Sequence, residues 1–207
     1  MMTHTLHRRG DAESLKRDYV VLVMSAKGFS DKGASQKLKE ALKVLASYNA
    51  VNFGDMKTGS FYGKGPEPLY ANIKDTSIVH GVFRSRRDMQ LCVAELKRRD
   101  LGMSVVVSGL FDEVFQALEK VGIKPHTVQY SLGTFGNLSL LPSEDVLEIT
   151  TMCGHHLVSP LLTRKLVSDI KRGRTTAREA AKALAKQCVC GAFNPDRAET
   201  ILQSMVK

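Results

Sequence analysis

Tyr19-Val20-Val21-Leu22-Val23-Met24, followed by the turn Lys27-Gly28 and a helix-period stretch over residues 36–47, is the stretch that decides the fold. The run is rich in strand-forming residues, and the segment behind it repeats its apolar positions at helical spacing. The same cycle recurs. Ser77-Ile78-Val79-His80-Gly81-Val82-Phe83 leads into residues 87–99, where Met89, Cys92, Val93 and Leu96 lie on one helical face. Met103-Ser104-Val105-Val106-Val107-Ser108 leads into a helix over 112–121, stopped by Gly122, and a fourth strand is expected over 126–131. Strands alternating with helices predict an α/β fold with a mostly parallel sheet under covering helices.

Two departures from that cycle bound the domain. Residues 52–75 carry Gly54, Gly59, Gly63, Gly65, Pro66 and Pro68, and so much turn chemistry predicts a long loop with a functional role, such as a lid. After Pro142 the pattern is helical throughout, over 143–149, 161–172, 176–186 and 196–206. An α/β domain over residues 1–142 and a small helical subdomain over residues 143–207 are therefore expected.

The second part holds three of the four cysteines. Cys153-Gly154-His155 and Cys188-Val189-Cys190 form two short clips, separated by a helix ending at Gly173 and a second helix opened by Thr176, with Glu179 at capping-box spacing. A helical hairpin of this kind brings both clips to one end, and three thiols with one imidazole are a ligand set for an iron–sulfur cluster or for zinc. Gly154 and Gly191 give the backbone room to wrap a metal. Buried cysteines in a plain core are the alternative reading. Cys92, on the apolar face of its helix, reads as core.

Residues 150–191 resemble the bacterioferritin-associated ferredoxin-like [2Fe-2S] domain in the helix–Gly173–Thr176–Glu179–helix layout and in the separation of the clips. His155 stands where that family has its second cysteine, and the last clip has a one-residue spacer. The resemblance implies a [2Fe-2S] cluster on Cys153, His155, Cys188 and Cys190, with zinc as the alternative. An imidazole in place of a thiolate raises a cluster's potential. His156 is adjacent to the ligand but points away, which makes it the candidate for proton transfer.

An anion site is expected at the carboxyl ends of the strands. Lys27, Gly28, Arg84, Arg86, Arg87, Ser108 and Gly109 fall there and would form one rim for a phosphorylated or carboxylate small molecule. Neither a Walker loop nor a Gly-x-Gly-x-x-Gly motif is present. On a helix His4 and His7 would share one face and bind metal, but the preferred reading is a frayed terminus without a role; His80 and His126 read as ordinary strand histidines.

The formal net charge of +9 attracts anions without choosing among them, and the excess is spread over both parts of the chain. Four cysteines, no signal-type opening and no long apolar run predict a soluble protein of a reducing, cytoplasmic compartment, with no membrane contact. Redox work with a partner protein, or an enzyme using the centre, follows from the metal reading. A nucleic-acid regulator using the basic hairpin and a structural zinc protein are the alternatives. The alanines of the second hairpin helix favour packing over base recognition.

Overall fold

The computed structural model describes residues 4–207. The elements in chain order are α1 (Ala12–Leu15), β1 (Tyr19–Met24), α2 (Ala34–Ser47), β2 (Asn52–Asp55), β3 (Gly59–Ser60), α3 (Phe61–Lys64), α4 (Pro66–Ala71), β4 (Ile78–Phe83), α5 (Arg86–Arg99), β5 (Ser104–Ser108) and α6 (Phe111–Lys120). A 3-10 turn at Leu138–Leu140 leads to α7 (Glu144–Thr150), α8 (Pro160–Lys171), α9 (Ala177–Ala185) and α10 (Pro195–Met205).

The sheet runs β3-β2-β4-β1-β5, and every pairing is antiparallel. This overturns the mostly parallel sheet expected from the sequence, for a topological reason. Helix α2 does connect two strands running the same way, β1 and β2, but β4 lies between them. Helix α5 likewise connects β4 to β5, with β1 between them. Two interleaved split β-α-β units have the same strand–helix alternation along the chain as a parallel sheet.

Two local expectations also change. Residues 52–75 form a hairpin and two short helices instead of a lid. The buried carboxylate of Asp55 accepts hydrogen bonds from the backbone of Thr58 (3.2 Å) and Ile78 (2.9 Å) and from the Ser77 hydroxyl (3.0 Å), which ties the hairpin to β4. The expected strand over 126–131 is absent: this segment bonds to no strand, and a groove of about 780 Å³ separates it from the outer edge of β5. Val105, Val107, Phe111 and Phe115 line the groove, and Thr5 and Arg8 reach it from the N-terminal segment.

Both faces of the sheet are buried, which is why β1 is apolar without alternation. Tyr19, Val21 and Val23 pack under α2, α4, α5 and α6, in the same core as Cys92. Val20, Leu22 and Val82 pack on the other face, against α7, α9 and α10. The helices beyond residue 142 are thus the second cover of one sheet. Helix α9 buries Ala177, Ala180, Ala181, Leu184 and Ala185, and its Thr176–Glu179 capping box is present. Among the described residues no helix is long and apolar enough to cross a membrane.

Just before β1, Asp18 is buried between two arginines. Its carboxylate pairs with Arg8 and with Arg197 (2.9 Å) and accepts from the Asn194 amide (3.1 Å). Removing one partner of such a group leaves the others charged in a dry site. Asp18→Ala should lower the unfolding free energy by about 3–5 kcal/mol in urea titration. A loss below about 1 kcal/mol, the range of an exposed pair, would contradict the structural role given to this network.

Candidate metal centre

The two clips are made by helix ends. After α7 the chain continues through tight turns, Met152 N–H to the Ile149 carbonyl and Cys153 N–H to that of Thr150, so Cys153 points inward. The His156 N–H then bonds the Cys153 carbonyl (3.0 Å) and His156 takes a left-handed φ of 56°. This turn puts His156 on the surface, while the Nδ1 atom of His155 is buried. Ser159 caps α8, with Pro160 in its first turn. After α9 the Cys188 N–H bonds the Ala185 carbonyl (3.1 Å), and Asn194 starts α10 ahead of Pro195.

Both clips are pressed onto the sheet and the N-terminal segment. Gly191 has φ +80°, and a β-carbon there would overlap the Phe53 backbone. Gly154 needs no positive φ; it is required because the His4 carbonyl occupies the space of a side chain. The Arg8 guanidinium donates to the carbonyls of Met152 (3.2 Å) and Ala192, so one side chain holds the residues flanking both clips. From β2, the buried Asn52 amide donates to the Phe193 carbonyl (3.0 Å).

Cys153, Cys188 and Cys190 are fully buried and reduced, and the sulfurs of Cys188 and Cys190 are 3.8 Å apart. His155 is joined by two histidines to which the sequence reading assigned no role, His4 having been weighed there only as a metal partner of His7. The His4 ring stacks on His155 with centroids 4.4 Å apart, and it meets His80 edge-on at 5.1 Å. Donor atoms of His4, His155 and Cys190 all lie within 4.8 Å of one another. His80 comes from β4, where the register sets it between Leu22 and Gly54 on the face toward the clips. Its one local signal is a histidine inside an apolar strand run. His4 has no local signal, because its partners lie some 150 positions away in the chain.

The donors are chemically unsettled as they stand. His4 Nε2 and His155 Nδ1 are buried with no hydrogen-bond partner, and the buried ring nitrogens of His80 meet only the backbone of Ile78 and Gly54, without well-formed bonds. Burial, helped by the neighbouring His155 and Arg8, lowers the pKa of His4 to about 4; burial, with His4 and His155, lowers that of His80 to about 3. The neighbouring Cys188 thiol and burial push Cys153 well above the ordinary thiol range. At Cys188 the interaction with Cys153 favours the thiolate, but Cys190 and burial outweigh it and raise the pKa to about 12. Cys190 is held below the ordinary range by the hydrogen bond from Cys188. Neutral imidazoles beside thiols that meet one another and the backbone of Leu157, Phe193 and Ala192 are a donor set that a soft or borderline metal satisfies, so the residues fit the group expected from the sequence.

The seven residues expected to form an anion rim are split by the antiparallel topology. Lys27 and Gly28 follow the Met24 end of β1, whereas Arg84, Arg86, Arg87, Ser108 and Gly109 lie at the Tyr19 end. Arg84 pairs with Asp196 (3.5 Å) and Arg86 with Glu113 (3.1 Å), Ser108 bonds Thr5 (2.6 Å), and Gly109 packs on Tyr19 and Val114. Lys27, Gly28 and Arg87 are exposed. His7 bonds Ser131 (3.0 Å) on the surface, and His126 bonds Thr127 (2.7 Å).

Comparison with known proteins finds no matching family model, no matching curated protein and no matching solved structure.

The lowered histidines set an acid limit for the metal-free protein. Above the ordinary imidazole value of 6.5 both are neutral, folded or unfolded, and contribute no pH dependence. As pH falls below 6.5 towards about 4 for His4 and about 3 for His80, the unfolded chain takes up protons that the folded chain refuses, so stability falls. The urea midpoint of metal-free protein should therefore drop across this window, and His80→Leu should flatten the slope. An unchanged slope in His80→Leu would contradict the burial of a neutral imidazole at this position.

Proposed function

We propose that the protein is a metal-binding redox protein, holding a [2Fe-2S] cluster through Cys153, Cys188, Cys190 and His155, and that it passes electrons to a partner protein. The observation that carries this reading is the convergence of three buried thiols and three histidines, with His4 Nε2 and His155 Nδ1 buried and unpartnered, in a region otherwise packed as core. Such a group of polar atoms is costly to bury unless something binds it.

The donor set suits a two-iron cluster or a single ion, and the resemblance of residues 150–191 to the [2Fe-2S] domain is what favours the cluster. The ligands of one tetrahedral ion lie within about 4 Å of each other, given bonds of about 2.0–2.3 Å. Donor atoms of Cys190, His4 and His155 lie within 4.8 Å of one another, and the sulfurs of Cys188 and Cys190 are 3.8 Å apart. When bound, such a cluster supplies a one-electron carrier. The chain's part is to bury it, to fix the thiolates through the helix ends, and to hold the clip backbone with Arg8 and Asn52. A nucleic-acid role for the α8–α9 hairpin gains nothing from the packing, since α9 turns its small residues into the core.

Full-length protein purified without oxygen should be coloured and contain iron and sulfide. Replacing Cys153, Cys188 or Cys190 with Ser should remove the colour. His155→Cys should keep the cluster and lower its potential, since an added thiolate increases negative charge. A colourless protein holding stoichiometric zinc would overturn the cluster while leaving the ligands, and metal retained by all three serine variants would overturn the site.

A further inference from the structure

We infer that the groove beside β5 is a docking site for an extended peptide of a partner protein, which adds to the open edge of the sheet and sets one acidic side chain against Arg8. The inference is independent of the metal reading.

Strand β5 is an edge without the usual protection. Among the described residues the backbone of residues 104–108 bonds only to β1, so alternate N–H and C=O groups face the groove without a partner. Edge strands are ordinarily kept from pairing by charges, proline, a bulge or brevity. The opposite edge, β3, is two residues long, whereas β5 is five residues of serine and valine with neither charge nor proline. The far wall of the groove, residues 126–131, is neither helix nor strand, and its backbone bonds no other backbone group among the described residues.

The size and chemistry of the groove choose the occupant. A strand residue fills about 160 Å³, from its rise and the spacings between strands and between stacked sheets, so a groove of about 780 Å³ holds about as many residues as β5 itself contains. Val105 and Val107 lie on the face of Val23 and Val21, with Phe111 and Phe115 of α6 beside them in the groove. Every second side chain of an added strand therefore meets apolar surface. On the other side Thr5 bonds Ser108 (2.6 Å), and Arg8 reaches the groove from the same N-terminal segment. The Arg8 side chain is more than nine-tenths buried, shares the one carboxylate of Asp18 with Arg197, and has no partner for its Nε among the described residues. An acidic side chain placed there accepts a charge-assisted hydrogen bond. A hydrocarbon chain would leave the backbone groups of β5 unpaired, and β5 of a second copy stands behind its own 126–131 segment. An extended peptide meets the open edge, the apolar wall and the arginine together.

The test uses full-length protein prepared without oxygen and a pool of short acetylated peptides with Val or Ile at every second position and any residue between. Retained peptides should carry Asp or Glu at one of the variable positions, and their binding should slow amide hydrogen exchange over residues 104–108. Replacing that acid by its amide in the best-bound peptide should weaken binding by about tenfold, and N-methylation of the peptide backbone should abolish it. Val105→Lys puts a protective charge on the edge at a half-exposed position and should also abolish binding, whereas Phe29→Lys, on an exposed turn outside the groove, should bind as wild type. A pool that passes unretained, binding that survives N-methylation, or exchange over 104–108 that ignores saturating peptide would overturn the proposal. So would a wild-type dimer that Val105→Lys dissociates, which would assign the edge to a second copy, or slowed exchange over 104–108 with palmitate and not with peptide, which would assign the groove to apolar chains. None of these outcomes bears on the metal centre, which is read separately from iron and sulfide content.

Discussion

A single buried carboxylate ties this molecule together. Asp18 sits at the entrance to β1 and pairs with both Arg8 and Arg197, which come from opposite ends of the chain. Through Arg197 it fixes α10 and the backbone of Arg9; through Arg8 it reaches the carbonyls beside both cysteine clips. Without it the buried Arg8 guanidinium would lose its carboxylate and Arg197 would keep only Glu148 (3.5 Å), in a low dielectric. The N-terminal segment, the sheet and the helical cover of its second face are thereby locked in one arrangement, and the convergence of the clips depends on that locking.

The same arrangement leaves the centre of the second core deliberately polar. Around it, Val20, Leu22, Ile149, Leu184 and Phe193 pack as an ordinary interior. At the middle, imidazoles and thiols meet with too few hydrogen-bond partners among themselves. Oxidation of Cys188 and Cys190 to a disulfide would satisfy two sulfurs but none of the histidine nitrogens. Metal ligation addresses both kinds of donor at once, and it reverses the pKa logic of the site: a bound metal keeps thiolates ionised that burial otherwise protonates.

Much of this was legible in the sequence because it is local. Six apolar residues make β1, the Thr176–Glu179 spacing starts α9, and two Cys clips flank a helical hairpin. Strand direction was not legible, because inserting β4 between β1 and β2 leaves the strand–helix alternation unchanged. The continuous apolar character of β1 reports burial on both faces, which this antiparallel sheet achieves with helices from both halves of the chain. Pairing of the 126–131 segment failed for a different reason: its alternation suits a strand, yet it stands off from β5 across a groove, held by contacts such as Ser131 with His7 and Thr134 with Arg9. His4 and His80 join the site only through tertiary packing. A histidine in an apolar strand is a faint signal for the second, and nothing near His4 in the chain marks the first.

X-ray absorption at the iron edge, on full-length protein prepared without oxygen, addresses the metal centre most directly. The proposed cluster predicts sulfur and nitrogen bound to the iron and a second iron just beyond them. Protein without bound metal, or a metal whose neighbours are oxygen alone, would contradict a centre built from the cysteine clips and their histidines.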